Sequence, residues 1–181
     1  LWDSLMSMAE IGALPNGGCC RLALTDEDKE GRDLFVEWCK VAGCDVSVDR
    51  MGNIFARRPG RNKDLPPIVT GSHLDTQPHG GKFDGVYGVL AGLEIIRSLN
   101  DHDITTDAPI EVTVWTNEEG SRFAPSMVAS GVFGGKFDLE ESLAIADVDG
   151  KTIGAELARI GYAGDTPCGD RPFGAFFEAH I

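Results

Sequence analysis

Pro67-Ile-Val-Thr-Gly-Ser-His73 and Pro109-Ile-Glu-Val-Thr-Val-Trp-Thr-Asn-Glu118-Glu119 bracket the apolar run Gly85-Val-Tyr-Gly-Val-Leu-Ala-Gly-Leu-Glu-Ile-Ile-Arg-Ser-Leu99. The two flanking segments are short, rich in β-branched residues and introduced by proline, which suits strands; the central run is long enough for a helix. Strand, helix and strand in that order form a βαβ unit, and such a crossover requires the two strands to be parallel. An α/β fold with at least one parallel strand pair follows.

Working outward, Cys44-Asp-Val-Ser-Val-Asp49 alternates apolar and polar residues, and a Met-Gly-Asn turn joins it to Asn53-Ile-Phe-Ala-Arg57, predicting a hairpin. Upstream, Leu1 to Ala13 reads as an amphipathic helix. A second helix starts at Thr25-Asp26-Glu27-Asp28, where a capping hydroxyl and first-turn acids meet the helix dipole. Its aromatic stripe, Phe35 and Trp38 among Leu34 and Val41, is a core face, and Gly43 ends it. Downstream, Thr152 to Ile160 predicts a helix and Gly174 to His180 a last strand. Gly-Gly-Lys-Phe-Asp occurs twice, at Gly80 to Asp84 and at Gly134 to Asp138; no His-bearing strand precedes the second copy, which is read as coincidence.

The bulk numbers narrow the function. With 181 residues, 42% of them hydrophobic and 25% charged, the chain has the composition of an ordinary globular protein. A net charge of −13 disfavours a nucleic-acid partner. No apolar run approaches the roughly 20 residues of a membrane span. There is no signal-peptide pattern, so a cytoplasmic address is expected. Five Cys without C-x-x-C spacing do not make a disulfide framework; Cys39 and Cys44 read as half-buried thiols, and a redox role for Cys19-Cys20 is weakly supported.

Chemistry-bearing residues follow the C-terminal ends of the predicted strands: His73, Asp84 in the adjoining loop, Glu118 and Glu119, and His180. Open α/β sheets bind ligands at that edge, so groups distant in sequence converge there. Imidazole and carboxylate together suit a hydrolytic pair of divalent metals, zinc first, with manganese, cobalt or nickel as alternatives. Two ions about 3.5–4 Å apart can share a hydroxide and polarise a carbonyl. Asp75, two residues beyond His73, is placed to accept the second imidazole N–H and fix its tautomer. Glu118 and Glu119 can divide the work, one ligating metal and the other moving a proton. Taken singly these signals are weak: His79 reads as a loop residue near the site and His102 as a surface residue.

Gly71-Ser-His-Leu-Asp-Thr-Gln-Pro-His-Gly-Gly-Lys-Phe-Asp-Gly-Val-Tyr-Gly-Val-Leu-Ala-Gly-Leu-Glu94 and Thr116-Asn-Glu-Glu-Gly-Ser-Arg-Phe123 closely resemble the amidase/hydantoinase/carbamoylase family. That family holds N-carbamoyl-L-amino-acid hydrolases, β-ureidopropionases and allantoate amidohydrolases, and is related to dinuclear zinc aminopeptidases and carboxypeptidases, so the resemblance implies an α/β three-layer sandwich around a mixed, largely parallel sheet. Phe-Phe-Glu-Ala-His-Ile181 is similar to the start of its His-Ile-Glu-Gln-Gly motif. The resemblance implies that His73 and His180 hold one metal and Glu119 the other, with Asp84 bridging them. It also implies that Glu118 is the general base and acid, that Asp75 orients His73, and that the peptide bond after Asp84 is cis. The family's distal His, the rest of His-Ile-Glu-Gln-Gly and the dimerising lid domain are missing. Residues 1–181 therefore read as the N-terminal portion of a catalytic domain, a fragment not itself expected to turn over substrate.

The expected activity of the parent protein is hydrolysis of the ureido C–N bond of an N-carbamoyl amino acid by a homodimer. Allantoate is the alternative substrate; Gln77-Pro78 leans slightly towards carbamoyl or ureido acids, and most substrate-holding residues would lie in the absent part. A peptidase is more distant, and a non-catalytic metal-binding relic is opposed by the retention of Glu118. A nucleotide-binding domain finds no support, because Gly85-x-x-Gly88-x-x-x-Gly92 lacks both the dinucleotide fingerprint and a phosphate-loop Lys.

Overall fold

A computed structural model describes all residues, 1–181. In chain order the elements are α1 (Trp2–Glu10), α2 (Asp26–Val41), β1 (Asp45–Val48), β2 (Ile54–Arg58), β3 (Ile68–His73) and α3 (Val86–Asp101). They continue with β4 (Ile110–Trp115), α4 (Val128–Phe133), α5 (Leu139–Leu143), α6 (Ile153–Ile160) and β5 (Ala175–Phe177). The five strands form one sheet in the order β1-β2-β4-β3-β5. The predicted hairpin is present as antiparallel β1 and β2, and β2 pairs antiparallel with β4. The β3-α3-β4 unit is parallel, as the crossover demands, with His73 opposite Trp115 at the strand ends. β5 adds in parallel beside β3. Every strand but β2 thus runs in one direction.

Alternation along β4 explains the layers. Val112 and Val114 point to one face, into the buried cluster that includes Phe35 of α2 and Leu93 and Ile96 of α3. Helix α3 lies flush on this face: a Cβ on Gly92 would sit 2.8 Å from Thr70 Cγ2 and 3.0 Å from Val112 Cγ1. The glycines of the apolar run therefore serve helix-on-sheet packing, not phosphate binding. Trp115 points to the opposite face with Phe55, and Phe133 of α4 packs on both, at ring-centroid distances of 5.1 and 5.7 Å. Helices on both faces make the three-layer sandwich.

The helix caps follow the predicted chemistry. Thr25 Oγ1 accepts from Asp28 N at the start of α2, and Thr152 does the same for Ala155 N at α6. Asp28 returns its carboxylate to Leu24 N at 2.8 Å and pairs with Arg32 at 2.8 Å, both side chains fully buried. Cys39 and Cys44 are free and buried rather than half-exposed, and burial pushes the Cys44 thiol up to about 11. The second Gly-Gly-Lys-Phe-Asp copy links α4 to α5, where Asp138 caps α5 by accepting from Glu141 N. No helix is long and apolar enough to cross a membrane.

Candidate metal centre

The end of β3 delivers His73 into the interior, with no side-chain exposure. Its Nδ1 lies 2.8 Å from the main-chain carbonyl of Asp75. A carbonyl can only accept, so Nδ1 carries a proton, and Nε2 is the ring atom turned to the site and the one a metal would take. Nε2 faces His180 Nε2 at 3.2 Å, Glu118 Oε2 at 3.4 Å and Asp84 Oδ1 at 3.7 Å. Asp84 Oδ1 is in turn 3.3 Å from His180 Nε2. Ligand atoms of His73, Asp84 and His180 all lie within 4.8 Å of one another. Two imidazole nitrogens and a carboxylate oxygen converging this closely can be satisfied by a shared proton or by a cation held among them. The donor set fits a divalent metal, and imidazole with carboxylate fits zinc or a neighbouring transition ion.

Asp75 acts differently from the expectation read off its spacing. Its Oδ1 stands 3.9 Å from His73 Nδ1, and the acceptor for that N–H is its own carbonyl. The buried carboxylate instead accepts two main-chain N–H groups, Glu118 N on Oδ1 and Glu119 N on Oδ2, each at 3.2 Å. Burial pushes the Asp75 carboxyl up, against the opposing pull of His73 and these two amides. One residue at the end of β3 thus sets the His73 tautomer with its main chain and the Glu118-Glu119 backbone with its side chain. A spacing rule could not separate these two roles.

Glu118 and Glu119 leave β4 through Asn117, whose left-handed backbone (φ 52°) is one that Asn adopts more readily than most residues. The Asn117 amide donates to Phe123 O at 2.8 Å and pins the following loop. Glu118 points at the His73 ring, as above. Glu119 lies outside the tight three-residue group: its Oε2 accepts from Gln77 Nε2 at 2.6 Å, while Oε1 is buried without a partner. Burial raises its carboxyl above the usual range, and the Gln77 hydrogen bond partly offsets this. An orphaned, buried carboxylate oxygen beside a metal-fitting cluster is what a second cation would satisfy.

The turn after Asp84 corrects another expectation. The Asp84-Gly85 bond is trans, and the only cis bond is Ala124-Pro125. The chain reverses instead through Gly85 at φ 66° and ψ −43°, with Val86 N donating to Asp84 O at 2.7 Å, a γ-turn that only glycine enters without strain. The turn packs on His73: a Cβ on Gly85 would meet ring atoms Cε1 and Nε2 at 2.4 Å. His79 is exposed in the loop, and exposed His102 donates from Nδ1 to Ser98 O at the end of α3, as a surface residue does.

Arg21 was missed by sequence reasoning, because an arginine in a loop reads as solvent-facing. It is 1% exposed and has no carboxylate partner. Its Nε donates to Leu74 O at 2.7 Å, between His73 and Asp75, and its Nη1 donates to Ile11 O at 2.9 Å and Met8 O at 3.3 Å at the C-terminal end of α1. Its main chain completes the clamp: Arg21 N donates to Thr76 Oγ1 at 2.7 Å, and Thr76 N donates to Arg21 O at 2.9 Å. The carbonyls ending α1 carry partial negative charge that a buried guanidinium can use.

The chain resembles known proteins over its whole length. An N-carbamoyl-L-amino-acid amidohydrolase of Rhizobium meliloti is 58% identical over 181 residues, covering 100% of this chain and 44% of the relative. One of Geobacillus stearothermophilus is 38% identical, covering 100% of this chain and 45% of the relative. The crystal structure of an amidase of the hydantoinase/carbamoylase family from Burkholderia multivorans is 70% identical with a TM-score of 0.99, covering 99% of this chain and 44% of that one. The chain therefore spans less than half the length of the curated relatives it matches. The model of peptidase family M20/M25/M40 matches residues 69–181, a stretch that takes in His73, Asp75, Asp84, Glu118, Glu119 and His180, and the chain belongs to that family.

Proposed function

We propose that the protein hydrolyses the ureido C–N bond of N-carbamoyl-L-amino acids or β-ureido acids, releasing ammonia, carbon dioxide and the free amino acid. The observation that carries this reading is Glu118 Oε2 held 3.4 Å from His73 Nε2, beside Asp84 and His180. This carboxylate stands beside the His73, Asp84 and His180 group without being one of its three members, within reach of a water held there. Names of relatives support the substrate class.

In this reading His73, Asp84 and His180 would hold one divalent ion, and Glu119, with Asp84 shared, would contribute to holding a second. When bound, such ions polarise the scissile carbonyl and acidify water. Glu118 takes the proton of the attacking water and returns it to the departing nitrogen, so the proton balance closes on one carboxylate. Asp75 fixes the main chain under both glutamates and the tautomer of His73, which keeps Nε2 free for the metal. Zinc suits the donors best, with manganese, cobalt or nickel as replacements. The working place is the cytoplasm, where five free thiols stay reduced, and the working form is a homodimer.

Assay of the full-length protein with N-carbamoyl-L-amino acids, β-ureidopropionate, allantoate and dipeptides, each with Zn, Mn, Co or Ni, tests the reading. Turnover of carbamoyl or ureido acids is expected. Activity on allantoate alone, or on dipeptides alone, would replace it.

A further inference from the structure

Gln77 is an exposed loop residue whose polar groups are both engaged. Its Nε2 donates to Glu119 Oε2 at 2.6 Å, and its Oε1 accepts from Ser121 Oγ at 2.6 Å. The two contacts fix the amide orientation: an ionised carboxylate can only accept, so the NH₂ group must face Glu119 and the oxygen must face Ser121. The result is a three-member relay, Ser121 to Gln77 to Glu119, that ties the loop after β3 to the loop after β4. Glu119 emerges with unequal oxygens. Oε2 is held by a short, charge-assisted hydrogen bond, and Oε1 is buried with no partner.

We propose that Gln77, set by Ser121, is a positioning residue that makes Glu119 a one-oxygen metal ligand, with Oε1 presented and Oε2 withheld. This rests on the proposed role of Glu119 as a ligand. The amide stops the carboxylate from turning to offer both oxygens, and it removes rotational freedom that binding would otherwise have to quench. Groups that orient a ligand from behind typically change metal affinity by about 10–100-fold. With one N–H on Glu119 and its oxygen on Ser121, Gln77 is placed to act through Glu119.

The test is Co²⁺ titration of the full-length protein, followed by calorimetry and by visible absorption, with Glu119→Ala as the control. Gln77→Leu is expected to weaken the Glu119 site about 10–100-fold and alter its Co²⁺ spectrum, leaving the His73/Asp84/His180 site within twofold. Ser121→Ala should move affinity the same way by less, and Ser121→Thr, which keeps the hydroxyl, should restore it. If Glu119→Ala leaves both Co²⁺ sites intact, the ligand role of Glu119 fails and the clamp with it. If Glu119→Ala removes a site but Gln77→Leu binds and absorbs like wild type, the clamp alone is overturned. Equal weakening of both sites by Gln77→Leu overturns it as well, since that marks a general role in the fold.

Discussion

Replacing Gly85 by alanine drives a methyl group into the ring of His73. The added Cβ would lie 2.4 Å from Cε1 and Nε2 and 2.5 Å from Cδ2. Contact distances between such atoms are about 3.5–4 Å, so the ring or the start of α3 must retreat by about 1 Å. Overpacking of this kind costs about 1–3 kcal/mol. The backbone at φ 66° and ψ −43° adds about 1–3 kcal/mol for a residue with a side chain. The sum, about 2–6 kcal/mol, is a large part of the about 5–15 kcal/mol that holds a domain together. Urea unfolding of Gly85→Ala without metal measures it. A His73→Ala background separates the two parts: with the ring gone, only the backbone penalty remains, so the double mutant should show a coupling of about 1–3 kcal/mol. Metal affinity should fall at least about tenfold, because ligand distances tolerate only about 0.2 Å. Additive mutations, with coupling under about 0.5 kcal/mol, would refute the steric argument.

Glu118→Gln should keep its metal by elemental analysis and lose about 10²–10⁴ of turnover; near wild-type rates would remove Glu118 from proton transfer. Asp84→Ala should lower metal occupancy, and two ions still bound would exclude bridging. Arg21→Met should cost about 2–4 kcal/mol in denaturant unfolding, since Leu74 O and Ile11 O lose a buried donor; a change under about 1 kcal/mol would contradict this. At acid pH the Arg122 network should matter. Burial alone would raise Glu156 and Asp147. Hydrogen bonds from Arg159 and Arg122 to Glu156, and from the Lys151 amide and Arg122 to Asp147, outweigh it and hold both carboxyls low. Carboxyls depressed in the fold contribute stability that is present above their unfolded values and lost as pH falls through the folded ones. Arg122→Met should therefore unfold at a higher pH on acid titration while flattening the acid limb of stability; an unchanged limb would contradict the assignment.

Local pattern carried much of the fold. β3, α3 and β4 follow from apolar periodicity, and Thr25 and Thr152 from cap chemistry, because these signals are complete within a few residues. α4 and α5, of six and five residues, are too short for a period to emerge, and their place depends on packing Phe133 over Phe55 and Trp115. The last strand is three residues, not seven, since only Ala175 to Phe177 pair with β3. At the site, residue types and strand-end positions were readable. The division of labour inside Asp75, the unequal oxygens of Glu119 and the burial of Arg21 were not. Each depends on partners more than 10 residues away, such as Gln77 to Glu119 or Arg21 to Leu74.

The grip of Asp75 on Glu118 and Glu119 gives the parallel register a chemical meaning. His73 stands opposite Trp115, and neighbouring strands lie about 4.8 Å apart. The spacing between donors from β3 and donors following β4 is thereby ruled off by the sheet, not left to two independent loops. A slip of β3 by one residue would send His73 to the other face and carry Asp75 away from both amides. The gauge of the site is therefore the hydrogen-bond ladder itself. Mutations deep in β3 or β4 that leave every polar side chain in place can still detune it.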